Sequence, residues 1–418
     1  MSAGWRMSCK SLANELGFDR IPFMTSSIRS TKIVATSAYY LSSIIMGATA
    51  AASGPSLPIL AENTSSGLDR ISLIFVFGSL GYLIGSYFGG RAYDRIPGHK
   101  LMAGILILLG IAATMIPIAH ALGALLFFFF LSGLANGALD TGCNTLLLWT
   151  HGEKAGPFMN GLHFFFGVGS FTAPLLLAKI LLSTGSIVWL YWSIVIICLP
   201  AAIWLWFLPE PSMPVRTNEG TNASFPVLAV LFCVILFFLN VGLEFGFGNW
   251  VYTYALTLGL GTTITAAYLT SAFWGSFTVS RLIGIWVSTR ARSQTILFMD
   301  LIGCAVGTII IMTWKDSKLA LWIGTIGLGL SIASMFPTSM MLAAERMKVT
   351  GTITGWLLVG SGIGSMFLPW LIGQIFVLTG PRSMTTVLLF DIVAIFLVLL
   401  LFTSRRITSS PEPAPGVD

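Results

Sequence analysis

The chain has 418 residues, of which 55% are hydrophobic and only 9% are charged. Soluble domains carry roughly 25% charged residues, so this chain cannot cover a water-facing surface. The composition excludes a soluble enzyme, a nucleic-acid-binding module and a disordered protein. The 22 Lys and Arg residues exceed the 16 Asp and Glu by six, and they are too sparse to form a phosphate-binding face. The sequence therefore predicts an all-α polytopic membrane protein surrounded by membrane lipid.

Twelve apolar stretches follow one another along the chain. A membrane-spanning helix needs about 20 mostly apolar residues, and charges, Pro/Gly clusters and polar breaks mark its borders. The predicted spans cover residues 32–56, 70–92, 100–120, 122–150, 156–183, 187–208, 225–256, 262–288, 295–314, 318–343, 351–379 and 382–403. They predict two six-helix bundles, at 32–208 and 225–403, joined by a linker at 209–224. The tails are residues 1–31 and 404–418, and we expect the second tail to be disordered.

The 22 Lys and Arg residues are distributed unequally between the two sides of the predicted membrane. With an even number of spans, both chain ends lie on one side. That side holds 16 of these residues, whereas the other side holds four. Cytoplasmic segments of membrane proteins carry the excess of Lys and Arg. We therefore expect both termini in the cytoplasm, with the protein in a plasma membrane or a bacterial inner membrane.

An internal repeat relates the two halves of the chain. Residues 167–174 in span 5 and 362–369 in span 11 both read G-x-G-S-x-x-x-P, at an offset of 195 residues. The same offset relates Gly89 to Gly284, near the ends of spans 2 and 8. One offset shared by separate segments indicates two homologous halves of six spans. Transporters built from two parallel six-helix halves bind their substrate between the halves, near the middle of the membrane.

The sequence holds no set of residues that suits catalysis or a bound cofactor. Its five cysteines have no metal-ligand spacing, and four of them lie in apolar runs. It has no phosphate-binding loop, and no nucleophile stands beside a suitable base. We therefore expect no enzymatic activity, no cofactor, no resident metal and no nucleic-acid partner. We also expect the protein to be a monomer.

Polar and ionisable side chains inside the spans are costly in lipid, so each of them is a functional candidate. Several recur at helical spacing and therefore share one face of a span. The candidate residues for solute or ion binding are Asn136, Asp140 and Asn144 in span 4, Asn160 and His163 in span 5, Asn240, Glu244, Asn249 and Trp250 in span 7, and Trp356 in span 11.

Asp140 and Glu244 best suit ion coupling, because one lies in each half and both could face a central cavity. A carboxylate there suits reversible protonation, and its oxygens equally suit a sodium ion. The alternative is a structural contact between helices, and for His163 the two interpretations have equal support. Trp250 and Trp356 neighbour glycines and could stack on a sugar ring, but packing in the core explains them equally well.

A second pair of charges lies towards the cytoplasmic ends of spans 8 and 9. Arg281 and Asp300 have opposite charge and similar predicted depth. We expect them to form an ion pair that is either structural or part of a gate.

The loop between spans 2 and 3 reads GGRAYDRIPGHK at 89–100. It resembles the signature loop of the major facilitator superfamily, which has a glycine, an acid followed by Arg, then a glycine and a basic pair. The resemblance implies that Asp94 and Arg95 clamp the cytoplasmic helix ends in the outward-open state. The loop departs from the pattern by the extra Pro97 and by His99 in place of a basic residue. We therefore expect a weaker clamp.

Four short segments resemble one branch of that superfamily, the fucose permeases and sodium-dependent glucose transporter-like proteins. They are YDRIPGH at 93–99, LDTGCN at 139–144, GEKAGP at 152–157 and VGLEFG at 241–246. The resemblance implies cation-coupled hexose uptake, with acids in both halves serving coupling and sugar binding. It assigns those roles to Asp140 and Glu244 and ligand contacts to Asn144, Asn240 and Asn249.

These observations favour a secondary transporter that moves a small polar solute, a hexose-type sugar, by alternating access with H⁺ or Na⁺. One alternative is an exporter of amphipathic compounds or lipids, but such a cavity should be apolar rather than rich in Asn, Asp and Glu. Another is a non-transporting sensor on a transporter scaffold, although such receptors usually add a long cytoplasmic tail.

Overall fold

The computed structural model describes residues 22–211, 227–347 and 349–404. These residues form helices joined by short loops and contain no strand. Most of the linker predicted at 209–224 and most of both predicted tails lie outside the described residues. The all-α fold class is confirmed.

Twelve long helices follow the order of the twelve predicted spans. In the described part of the chain they are α1 Pro22–Asn63, α2 Leu68–Tyr93, α3 Gly98–Ile118, α4 Leu122–His151, α5 Ala155–Thr184, α6 Val188–Phe207, α7 Val227–Thr257, α8 Thr263–Ser288, α9 Ser293–Thr313, α10 Lys318–Arg346, α11 Gly351–Thr379 and α12 Ser383–Ser404. Helix α2 breaks after its first turn, and α10 is interrupted after Ile332.

Eleven of these helices are long and apolar enough to cross a membrane. The twelfth, α8, has 26 residues and is also long enough, but its many Ser and Thr residues and Arg281 make it less apolar. Thr270, Ser271 and Thr278 are buried, because α8 packs against both α5 and α10. Each predicted span therefore corresponds to one helix that is long enough to cross the membrane.

Both ends of α1 differ from the predicted span 32–56: the helix begins ten residues earlier, at Pro22, and ends seven residues later. The helix continues to Asn63 and contains Pro55 and Pro58. Proline removes a backbone donor and normally ends a helix in water. Inside a membrane bundle, neighbouring helices and local adjustments satisfy the freed carbonyl groups, so the helix continues through both prolines.

The two halves repeat one packing pattern. In the first half α1 packs on α5, α2 on α4 and α3 on α6. In the second half α7 packs on α11, α8 on α10 and α9 on α12. Helix α5 contacts α8 across the halves, and α11 contacts α2 in the same way. These are two pseudo-symmetric six-helix bundles, as the repeat predicts.

Close contacts confirm the 195-residue offset at single residues. Gly167 of α5 lies against Thr278 of α8, where an added Cβ atom would be 2.2 Å from the threonine hydroxyl. Gly362 of α11 lies against Leu83 of α2, where an added Cβ atom would be 2.4 Å from a leucine methyl group. Each partner is displaced by 195 residues from its counterpart. The repeated glycines therefore allow two equivalent helix crossings between the halves.

We call the side of the bundle with loop 94–97 the near face and the opposite side, with loop 64–67, the far face. The halves contact each other in the middle and towards the far face. Gln374 of α11 donates a hydrogen bond to the Asp69 carbonyl of α2 (2.8 Å), and the Ser79 and Ser365 hydroxyls lie 3.1 Å apart. Ser271 of α8 donates to the Phe171 carbonyl of α5 (3.0 Å).

Towards the near face the same helix pairs separate. On α5, Asn160 and His163 continue the stripe of Gly167 and Phe171 that faces α8, and both are exposed. On α2, Tyr87 continues the stripe of Leu83 that faces α11, and it is 57% exposed. The halves therefore enclose a cleft that is closed at the far face and open at the near face.

Candidate solute and cation site

The first half contributes a carboxylate held by two neighbours. The Tyr82 hydroxyl of α2 donates to Asp140 Oδ2 of α4 (2.5 Å), and Asn144 Nδ2 donates to Asp140 Oδ1 (2.9 Å). Asn144 lies one helical turn after Asp140, as the predicted stripe requires. Tyr82 is 36% exposed at mid-depth. It therefore places a phenol hydroxyl and a carboxylate together beside the cleft.

Asn136 occupies the next turn of the same stripe and is bonded to α1. Its side-chain oxygen accepts from the Thr49 hydroxyl (3.1 Å), and its amide donates to the Ser132 carbonyl (2.9 Å). The three polar residues of α4 therefore form a continuous row. Asn136 connects α4 to α1, whereas Asp140 and Asn144 form the part of the row next to Tyr82.

The second half contributes a carboxylate in a more buried position. Glu244 lies in the middle of α7 and is 7% exposed. One turn earlier, Asn240 donates to the Ser339 hydroxyl of α10 (2.9 Å), while its side-chain oxygen is buried and has no hydrogen-bond partner among the described residues. A buried amide oxygen without a partner is rare. Asn240 therefore presents an unused acceptor one turn from Glu244.

The expected ion pair between Arg281 and Asp300 is not formed. Asp300 instead accepts a hydrogen bond from the Ser334 hydroxyl (2.7 Å), at the interruption of α10. Arg281 interacts electrostatically with Glu244 of α7 and with His163 of α5. The sequence order of the spans suggested neighbours on α8 and α9, whereas α8 packs mainly on α5 and α10. Arg281 and Glu244 are thus neighbouring opposite charges in the second half, and His163 of the first half lies next to Arg281.

Two of the predicted ligand contacts lie in the packed interior instead. Trp250 is fully buried, donates its indole N–H to the Pro369 carbonyl (2.8 Å) and packs on Phe376. Asn249 is 6% exposed and lies against α1 at Gly54. Trp356 is 53% exposed near the start of α11. Of the two interpretations given for Trp250, its geometry favours packing in the core, because its ring fills the α7–α11 contact.

We expect Trp250→Ala to lower thermal stability rather than solute affinity. The substitution removes a buried indole and its hydrogen bond, and Trp→Ala changes in packed interiors cost roughly 3–5 kcal/mol. Melting of the detergent-purified variant, followed by intrinsic fluorescence, measures the effect. Trp356→Ala is the matched control, and its melting temperature should stay close to that of the parent protein. Equal melting temperatures for both variants would contradict this assignment.

The near face carries the charged loop between α2 and α3. Arg91, Asp94 and Arg95 line an open cavity of about 530 Å³ together with Tyr87. The Arg91 guanidinium lies 3.7 Å from the Tyr87 ring centroid. Arg91, Asp94 and Arg95 stand at the near end of α2 and in the loop after it, more than two turns beyond Tyr82. That position suits a role in movement of the halves rather than in ligand contact.

His99 does not belong to this exposed loop. It is 1% exposed, its Nε2 is hydrogen-bonded to the Tyr39 hydroxyl of α1 (2.6 Å), and its backbone N–H donates to Glu210 (3.0 Å). Glu210 follows α6, where the linker between the halves is predicted. His99 stands where the signature loop has a basic residue. It connects α1, α3 and the chain after α6 instead of completing the charged loop.

We expect Asp94→Asn to slow transport while equilibrium solute binding stays within a few-fold of the parent value. The reason is the distance of the loop from the candidate site. Initial uptake rates and equilibrium binding, measured on the same purified variant, separate the two effects. A folded variant that has lost solute binding would contradict a role in gating.

The structure thus brings the predicted residues into two clusters. The first is Asp140 with Asn144 and Tyr82, and the second is Glu244 with Arg281 and His163. Tyr82 could not be identified from the sequence, because a tyrosine in an apolar span has no distinguishing pattern. In the described residues, no three His, Cys, Asp or Glu side chains lie close enough to hold a metal ion. A sodium ion at either acid would therefore need neutral oxygen ligands as well.

Comparison with known proteins agrees with this architecture. The model of the Major Facilitator Superfamily matches residues 39–369. Sodium-dependent glucose transporter 1A of Mus musculus is 28% identical over 89% of this chain and 96% of its own length. Sodium-dependent glucose transporter 1 of Xenopus laevis is 31% identical over 77% of this chain and 72% of its own.

Solved structures show the same fold. The crystal structure of a D-xylose-proton symporter superimposes with a TM-score of 0.74, covering 88% of this chain and 97% of the other at 14% sequence identity. The match to the family model covers most of the chain, including the signature loop and both candidate acids. This chain is therefore a transporter of the major facilitator superfamily, in the branch that contains the sodium-dependent glucose transporter 1 proteins.

Proposed function

We propose that this protein is a symporter that moves a hexose-type sugar together with H⁺ or Na⁺. The observation that carries the proposal is the presence of one membrane-embedded carboxylate in each half, Asp140 and Glu244, each next to other polar groups. Intramembrane acids are costly and mark the ion and substrate paths of transporters. A solute rich in hydroxyl groups fits the donors and acceptors of Tyr82, Asn144 and Asn240.

Alternating access follows from the two pseudo-symmetric halves. In the present conformation the cleft is open at the near face and closed at the far face. Rocking of the halves about the α5–α8 and α2–α11 crossings would close the near face and open the far face. The candidate acids lie on α4 and α7, which pack on α2, α8 and α11, so they would be accessible from one side at a time.

The names of the relatives support the substrate class and the coupling. They are sodium-dependent glucose transporters, and the structural neighbour is a xylose-proton symporter. The names of the relatives refer to sodium and that of the structural neighbour refers to a proton, so the test includes both cations. Glu244 suits either cation, because a buried carboxylate is stabilised when a proton or a metal ion neutralises it.

Uptake by proteoliposomes tests the proposal. Purified protein is reconstituted, and labelled D-glucose, D-fructose, L-fucose and D-xylose are supplied under a sodium gradient, a proton gradient or neither. We expect concentrative uptake of a hexose under one of the two gradients. Accumulation of none of these sugars, with the protein folded and correctly inserted, would contradict the proposal.

We expect the near face to be cytoplasmic, because the Lys and Arg excess lies on that side. Single cysteines introduced at Lys315, on the far face, and at Thr289, on the near face, test the orientation in intact cells. Both positions are exposed, whereas the four native cysteines within the described residues are buried. A membrane-impermeant maleimide should label the cysteine at 315 only. Labelling at 289 from outside would reverse the orientation.

A further inference from the structure

The outer surface of the first half carries a groove between α3 and α6. Helix α3 packs on α4 and α6, and α6 also packs on α1, so the remaining faces of both helices point away from the bundle. Those faces are apolar and exposed, as contact with the hydrocarbon core of a bilayer requires. Ile107 of α3 is 46% exposed and Ile203 of α6 is 60% exposed. The groove therefore opens to lipid and not to the cleft between the halves.

Small residues form the floor of this α3–α6 groove. Ala103 of α3 and Ala202 of α6 are buried, and larger apolar and aromatic side chains form the walls. The groove has a volume of about 190 Å³. From Leu199 to Phe207 its wall rises by about 12 Å along α6, at 1.5 Å per residue. One leaflet of the hydrocarbon core is about 15 Å thick. The groove therefore suits an acyl chain of a single leaflet.

A positive charge stands at the near end of the groove. Lys100 is exposed in the first turn of α3, and its Nζ atom lies 5.9 Å from the centroid of the Trp206 ring, which lines the groove. In the described part of the chain, no carboxylate forms an ion pair with Lys100. Glu210, which follows α6, accepts the His99 backbone N–H instead (3.0 Å). Lys100 therefore offers its charge to a group outside the protein, at the depth of the lipid headgroups.

We propose that the α3–α6 groove binds an acyl chain of an anionic phospholipid and that Lys100 holds the phosphate of the same molecule. The apolar walls receive the chain, and the Trp206 indole lies at the boundary between chain and headgroup, where tryptophan is enriched in membrane proteins. A zwitterionic headgroup carries its own ammonium group beside the phosphate, whereas an anionic headgroup needs a cation from the protein. The charge of Lys100 therefore favours the anionic lipid, by roughly fivefold in affinity for one surface lysine.

Native mass spectrometry of the detergent-purified protein tests the inference, because it counts the lipids bound to each protein molecule. Dioleoylphosphatidylglycerol is the anionic probe, and dioleoylphosphatidylcholine is the zwitterionic probe with the same acyl chains. Lys100→Gln removes the charge, and Leu199→Trp places an indole in the groove. Lys154→Gln is the matched control for the charge, at another exposed lysine of the near face. Ile196→Trp is the matched control for the groove, at an exposed position of α6 outside it.

We expect the parent protein to bind its first phosphatidylglycerol molecule roughly fivefold more tightly than phosphatidylcholine. Lys100→Gln should lose this preference and keep its affinity for phosphatidylcholine, whereas Lys154→Gln should keep the preference. Leu199→Trp should weaken binding of both lipids by roughly tenfold, since burial of only two methylene groups contributes about that much. Ile196→Trp should bind both lipids as the parent does.

An undiminished preference for phosphatidylglycerol in Lys100→Gln would overturn the inference, as would equal affinities of Leu199→Trp and Ile196→Trp. A groove that is covered by a second copy of this chain would give a parental dimer that Leu199→Trp dissociates, and this result would overturn it too. If Lys100→Gln does not fold, the comparison of Leu199→Trp with Ile196→Trp decides. The assay measures no transport, so its failure is distinct from a failure of the proposed symport.

Discussion

Glu244→Gln should abolish accumulation of solute against a gradient. The substitution keeps the shape and hydrogen-bonding capacity of the side chain but fixes its neutral form. Without a carboxylate that gains and loses a cation, the gradient has no means of driving solute uphill. In proteoliposomes with an imposed cation gradient, the internal solute concentration should rise only to the external value. Exchange of labelled for unlabelled solute should persist.

Glu62→Gln is the matched control for this experiment. Glu62 is exposed near the far end of α1 and lies outside both clusters. Its variant should accumulate solute as the parent protein does. If the role of Glu244 were structural, its variant would instead lose expression or melt several degrees lower, and the surviving protein would still concentrate solute. Uphill uptake at parental level by Glu244→Gln would exclude its coupling role.

Asp140→Asn should weaken solute binding by about ten- to a hundredfold. Hydrogen bonds to a charged group contribute about 1.5–3 kcal/mol, and the variant loses that charge at the point where Tyr82 and Asn144 meet. Equilibrium binding of the labelled sugar to purified protein measures the loss. Tyr82→Phe removes the hydroxyl bonded to Asp140 and should cause a smaller decrease in affinity. Asp316→Asn, on the exposed far face, should leave affinity unchanged.

Unchanged affinity in Asp140→Asn would show that this carboxylate only joins α4 to α2. In that case a loss of thermal stability should accompany the unchanged affinity, because Tyr82 would have lost a charged partner. The two readings therefore predict opposite results for binding.

The helices could be predicted from the sequence almost to the residue, because lipid requires every spanning segment to be long, apolar and helical. The exception is α1, which begins ten residues before the predicted span and continues through Pro55 and Pro58, where the surrounding helices prevent a break. The halves could also be predicted, since Gly167 and Gly362 mark equivalent crossings. These features depend on local sequence or on a repeat.

The site was less predictable, because helical spacing shows which residues share a face but not which helix that face meets. Asp140 and Asn144 do lie together, as their spacing indicates. Arg281 faces Glu244 instead of Asp300, and Trp250 fills a packed crossing. Tyr82 carries no sequence signal at all. Each of these depends on contacts between helices that are distant along the chain.

Linkage between cation and solute is the central claim, and binding measures it most directly. The affinity of purified protein for the labelled hexose is determined with sodium or choline and at two pH values, for the parent and for Glu244→Gln. Coupled sites change each other's affinity by the same factor. We predict that one cation raises the parental affinity by about five- to a hundredfold, and that the variant shows no such dependence. Parental affinity that is independent of both cations, or an unchanged cation dependence in Glu244→Gln, would contradict the account.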